Sequence, residues 1–71
     1  MLTLDEVKRL PVGKGVRVMG LVSNASYNAL ITEPMTAKSK ETSLRLVTEN
    51  GNLSNPMFKN YGKTWGIEKV N

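Results

Sequence analysis

Apolar residues in this chain fall into short alternating runs broken by Gly, Pro and Asn, a period of two that predicts strands more often than helices. The best of these runs is 16–22. Val16, Val18 and Val22 lie on one face and Arg17, Met19 and Leu21 on the other, so both faces are largely apolar. That suits a central strand whose second face is covered by an N-terminal helix or a loop, with Gly20 as the expected site of a bend or bulge. Residues 27–32 predict a second strand, in a hairpin with the first and ended by Pro34. Residues 43–48 predict a third, with Leu44 and Leu46 inward and Arg45 outward. Asn50-Gly51 predicts a type I′ turn into a short strand at 52–54, which Pro56 confines to an edge. Residues 60–63 predict a turn into a last strand in which Trp65 and Ile67 share a face. Between the second and third strands, 35–42 reads as a mobile polar loop.

One segment departs from this period. Thr3 stands three residues before Glu6, the spacing of a capping box, and Leu2 and Val7 occupy the positions of a hydrophobic staple. Asp5 and Glu6 face the positive end of the helix dipole, while Lys8 and Arg9 face the negative end. Pro11 disfavours helical geometry at Leu10, so a helix is expected from Leu4 to Arg9 or Leu10. Three of the four aromatic residues lie between Phe58 and Trp65. A large ring buries more area than any other side chain, so Trp65 is the expected centre of the core. The elements predict a single domain over residues 1–71, mainly β: a small SH3-like barrel of about five short strands with a short N-terminal α-helix. An OB-like barrel is the nearest alternative.

Composition narrows the chemistry. The chain has 71 residues and neither cysteine nor histidine. This removes disulfides, thiolate chemistry, the usual zinc ligands and the usual general base near neutral pH. The six carboxylates are dispersed, mostly over predicted loops and a helix cap, where they are ordinary solvated charges. The sequence therefore predicts a non-enzymatic protein with no catalytic residues, cofactor or metal site. Acids at the N-terminus and the lack of a long apolar run predict no signal peptide and no membrane segment, hence a cytoplasmic protein. Gly62-Lys63-Thr64 matches the tail of a phosphate-binding loop. The glycine required five positions earlier is Met57, however, and a strand is expected to follow where that motif needs a helix. Met19, Met35 and Met57 could form an adaptable partner surface, although filling gaps in the core explains them as well.

Ten basic residues against six acids leave a net charge of +4, which permits nucleic-acid binding and also serves solubility. Residues 12–18, with Gly13, Lys14, Gly15 and Arg17, resemble the glycine-containing lead-in of nucleic-acid-binding SH3-like modules of the KOW type. Lys14, Arg17, Lys59 and Lys63 would meet if the first and last strands were neighbours, and Tyr61 or Phe58 would then supply a ring on which a base could stack.

Residues 4–18 and 60–65, the latter Asn-Tyr-Gly-Lys-Thr-Trp, resemble the two ends of small phage and prophage proteins with a short helix, a Gly-containing lead-in to a barrel and a YGKTW turn before the last strand. The resemblance covers about a third of the chain and implies a phage-type barrel acting in a host cytoplasm. After Trp65 the chain departs from it, with Gly66-Ile67-Glu68 in place of a basic and an aromatic residue. The resulting expectation is a small basic binding module that contacts nucleic acid through Lys14, Arg17, Lys59, Tyr61 and Lys63. The rival is a protein-binding module, such as a phage inhibitor of a host or defence enzyme, that uses the 35–42 loop and a sheet edge.

Overall fold

A computed structural model describes residues 1–32 and 42–69. The expected loop at 35–42 lies outside these residues except for Thr42. The described chain forms α1 (Leu4–Lys8), β1 (Gly15–Gly20), β2 (Ser26–Ile31), β3 (Leu46–Thr48), β4 (Leu53–Ser54), a 3-10 helix (Phe58–Asn60) and β5 (Trp65–Lys69). The strands make one antiparallel sheet in the order β4-β3-β2-β1-β5. The fold is thus mainly β and has the plan of a small SH3-like barrel, although the sheet is not closed on itself. No helix among the described residues is long and apolar enough to cross a membrane.

The capping box at Thr3 and Glu6 is formed in both directions, at 3.2 and 3.0 Å. These bonds to Thr3 hold the Glu6 carboxyl below its ordinary pKa. The helix is a residue or two shorter than predicted: Arg9 is its C-cap, where Arg9 N–H donates to Glu6 C=O and Leu10 N–H to Val7 C=O, each at 3.2 Å.

Val7 brings the helix into the core, where it joins Val16, Val18, Ala29, Ile31, Leu44, Leu46, Phe58, Trp65 and Ile67. The pairs Val16 with Ala29 and Val18 with Ile67 put these residues on one side of the sheet. The helix therefore covers the same side as the valines, so of the two covers expected for the second face of β1, a helix or a loop, it is not the helix. Val22 is not on that side either: β1 ends at Gly20, whose N–H bonds to Ala25 C=O, and Val22 is exposed in the turn beyond. A Cβ on Gly20 would come 2.5 Å from Ser23 Oγ and 3.1 Å from Ala25 C=O, so a side chain here would force Ser23 to move and crowd the Ala25 carbonyl in this tight reversal.

The β3–β4 connection also differs from the prediction. Thr48 N–H bonds across to Asn52 C=O and Gly51 N–H to Thr48 C=O, leaving a three-residue loop at 49–51. Gly51 alone has positive φ (+82°), so the connection is a turn followed by a left-handed residue, not the two left-handed residues of a type I′ turn. A Cβ at Gly51 would meet nothing within 4 Å, so Gly51→Ala isolates the backbone strain. It should cost about 1 to 2 kcal/mol, read as a fall in melting temperature of roughly 4 to 8 °C per kcal/mol. An unchanged melting temperature would contradict this account of the loop.

Candidate nucleic-acid interface

The expected neighbourhood of β1 and β5 exists, but the pairing is antiparallel, with Val16 opposite Lys69 and Gly20 opposite Trp65. Lys14 precedes the start of β1 and Lys63 precedes the start of β5, so they lie at opposite ends of the pair. Six residues of strand separate those ends by about 17 Å. Arg17 lies between them on the outer face of the sheet, where its guanidinium donates to Ser26 Oγ at 2.7 Å and to Asn28 Oδ1 at 3.3 Å. The structure therefore does not gather Lys14, Arg17, Lys59 and Lys63 into one patch.

Lys59 and Lys63 do belong together. Lys59 is in the 3-10 helix, and the N–H groups of Lys63 and Thr64 both return to Asn60 C=O at 3.0 Å, so the two exposed lysines stand on one reversal. Gly62 allows that reversal by taking φ +79°, and a strand follows it. This is turn geometry, not that of a phosphate-binding loop.

Tyr61 sits in the same reversal but turns inward. Its hydroxyl donates to Leu2 C=O and accepts from Ile67 N–H at 3.3 Å, while its ring meets Trp65 edge-on at 4.9 Å. Burial raises the pKa of its phenol. With Leu2 N–H donating to Ile67 C=O, the hydroxyl joins the N-terminal residues to the outer edge of β5. Phe58 is buried, with Lys8 Nζ 5.3 Å from its ring centre. Neither expected ring is freely exposed.

The exposed ring is Tyr27, 36% accessible, with its hydroxyl 3.2 Å from Ser54 Oγ. It lines a groove of about 380 Å³ between the β1–β2 turn and the chain around the 3-10 helix. Met57 and Trp65 line the groove with it, and Ser23, Asn55, Asn60 and Thr64 add hydroxyls and amides. Among the described residues, no Asp or Glu lines it. Trp65 is fixed there by its indole N–H, which donates to Met57 C=O at 2.9 Å. Lys59 and Lys63 each adjoin a lining residue, Asn60 and Thr64. Sequence reasoning took Tyr27 only as the start of the second strand; alternation puts it on the face of Ala29 and Ile31 and the register sets it opposite Val18, all three of them buried. Only the end of the sheet leaves Tyr27 uncovered.

A second surface feature lies on the outer face. Leu30 pairs with Val47 and Val47 with Leu53, which aligns three apolar side chains across β2, β3 and β4; Leu30 is 49% and Leu53 67% exposed. Among the described residues no group of three acidic residues could hold a metal ion. Comparison with protein-family models, curated proteins and solved structures finds no match.

Proposed function

We propose that this protein is a non-enzymatic binding module that takes single-stranded nucleic acid along the Tyr27 groove. Tyr27 stacks a base, Lys59 and Lys63 neutralise phosphates, and the amides of Asn55 and Asn60 offer donors and acceptors. The observation that carries this reading is a groove with no acid among its described lining residues, an exposed ring at its side and two lysines on its adjoining reversal. Single strands are favoured over duplex because a base can stack on Tyr27 only when it is unpaired, and the one α-helix described has five residues with Asp5 and Glu6 in its first turn, a poor element for a major groove lined by phosphates. The resemblance of the chain's two ends to phage proteins supports placing the module in a host cytoplasm.

The test is fluorescence anisotropy with labelled single- and double-stranded DNA and RNA at about 50 and 200 mM salt. Tyr27→Ala should weaken single-strand binding roughly 5- to 100-fold, the worth of one stacked base. The Lys59→Ala/Lys63→Ala variant should reduce the slope of log K against log salt by about 1.4, whereas Lys14→Ala/Arg17→Ala should change it less. Absence of binding at the lower salt, or full affinity in both groove variants, would reject the reading.

A second reading has its own observation. The exposed Leu30–Val47–Leu53 row suits a protein partner, as an inhibitor of a host or defence enzyme would require, and Leu53→Asp should abolish such binding while leaving nucleic-acid affinity intact.

A further inference from the structure

The apolar row on the outer face has a shape of its own. Leu30 pairs with Val47 on one side and with Gly15 on the other, so the row reads Gly15–Leu30–Val47–Leu53 across β1, β2, β3 and β4. One end is a knob, since Leu53 is the most exposed of the three apolar side chains. The other end is a notch. Gly15 has no side chain to offer, and a hollow of about 370 Å³ lies beside it, lined also by Asn28, Leu30, Val47 and Glu49. Three strand spacings, about 14 Å, separate the knob from the notch.

Such a row complements itself. A two-fold axis parallel to the strands, running between β2 and β3 in the plane that separates two copies packed face to face, reverses the row. Leu30 of each copy then meets Val47 of the other, and each Leu53 comes over the other copy's Gly15. Twisted sheets stack face to face in this aligned way. An axis along the row would instead set Leu53 on Leu53 and leave a space over two glycines, which forfeits the contacts of close packing. The polar positions agree with the first arrangement. Asn28 and Glu49 line the hollow, and Arg17 on the same face donates to Asn28 Oδ1 at 3.3 Å. The reversal sets each Glu49 opposite the other copy's Asn28, one strand, or about 4.8 Å, to the side of that copy's Arg17. A foreign partner would have to supply both a knob for the notch and a cation for Glu49, whereas a second copy carries the two at the spacing required.

We infer that this face joins two copies of the chain in a symmetric dimer, with Leu53 of each seated over Gly15 of the other. The row is narrower than an interface of standard size, so the dimer is a weak one. It gives to a second copy the surface that the second reading gives to a foreign protein, and it is independent of the Tyr27 groove.

Sedimentation equilibrium of the full chain from about 20 μM to about 1 mM should show reversible association to a dimer. In a mixture of ¹³C-labelled and unlabelled chains, isotope-filtered NOEs should connect the Leu53 methyls to the Gly15 Hα of the other copy. Leu53→Asp should remain a monomer throughout. Gly15→Val fills the notch without harm to the single chain, because a Cβ there meets Leu30 Cδ2 at an ordinary 3.8 Å and a strand favours valine over glycine. This variant should weaken association roughly 5- to 100-fold while melting no lower than the parent. NOEs between other residues, or full association of Gly15→Val, would overturn the inference. So would a monomer at every concentration, which would leave the row to a foreign partner.

Discussion

Trp65→Ala is expected to leave most of the chain unfolded at 25 °C. The side chain is 6% exposed, its ring meets Tyr61 edge-on, and its indole N–H holds Met57 C=O. Truncating a buried ring of this size costs about 3 to 5 kcal/mol. A single core in a chain below about 70 to 80 residues rarely supplies more than that. Urea denaturation followed by far-UV circular dichroism measures the loss directly. Trp65→Phe separates its causes, since it keeps most of the ring but releases the Met57 carbonyl, and it should fall well short of the alanine variant. An alanine variant that melted within a few degrees of the parent would show that Trp65 does not organise this core.

Tyr61→Phe should cost about 2 to 3 kcal/mol, more than an exposed tyrosine would. The substitution leaves the ring against Trp65 but strips partners from Leu2 C=O and Ile67 N–H, and each orphaned group costs about 1 to 3 kcal/mol when water cannot replace the bond. The same hydroxyl makes stability depend on pH at the alkaline end. Its folded pKa is raised above the usual tyrosine value of 10.0, chiefly by burial, with the negative charge of Glu6 adding to the shift and the Ile67 N–H opposing it. A raised folded pKa means that the contribution is complete below the unfolded pKa and is lost as pH rises through the folded one. Stability of the parent should therefore decline above about pH 10, and Tyr61→Phe should lack the part of that decline due to this group. Identical alkaline profiles for the two proteins would remove the phenol from the account. If the phenylalanine variant were also as stable as the parent, the bridge between Leu2 and β5 would contribute nothing.

These two side chains show how unevenly function and fold can be read from one stretch. Trp65 was identified as core because size and hydrophobicity alone demand burial. Tyr61, four residues earlier, was expected at the surface as a stacking ring, because a tyrosine in a turn of polar residues carries no sign of where its hydroxyl will find a partner. Its partners are 59 and 6 residues away in sequence. Leu44 and Leu46 are buried as alternation predicts, and Arg45 between them is more exposed than either.

What the sequence determined by itself is local. The capped helix, the positions of most strands, the turns at Gly51 and Gly62 and the inward placing of Val16, Val18, Leu44, Leu46, Trp65 and Ile67 follow from period, capping geometry and the few residues that tolerate positive φ, all properties of neighbours along the chain. The tertiary structure decided which residues share a surface. Antiparallel pairing of β1 with β5 sends Lys14 and Lys63 to opposite ends, the reversal after the 3-10 helix joins Lys63 to Lys59, and the end of the sheet leaves Tyr27 open beside them. Register and strand direction arise from many weak contacts summed over the whole core, and no short motif encodes them.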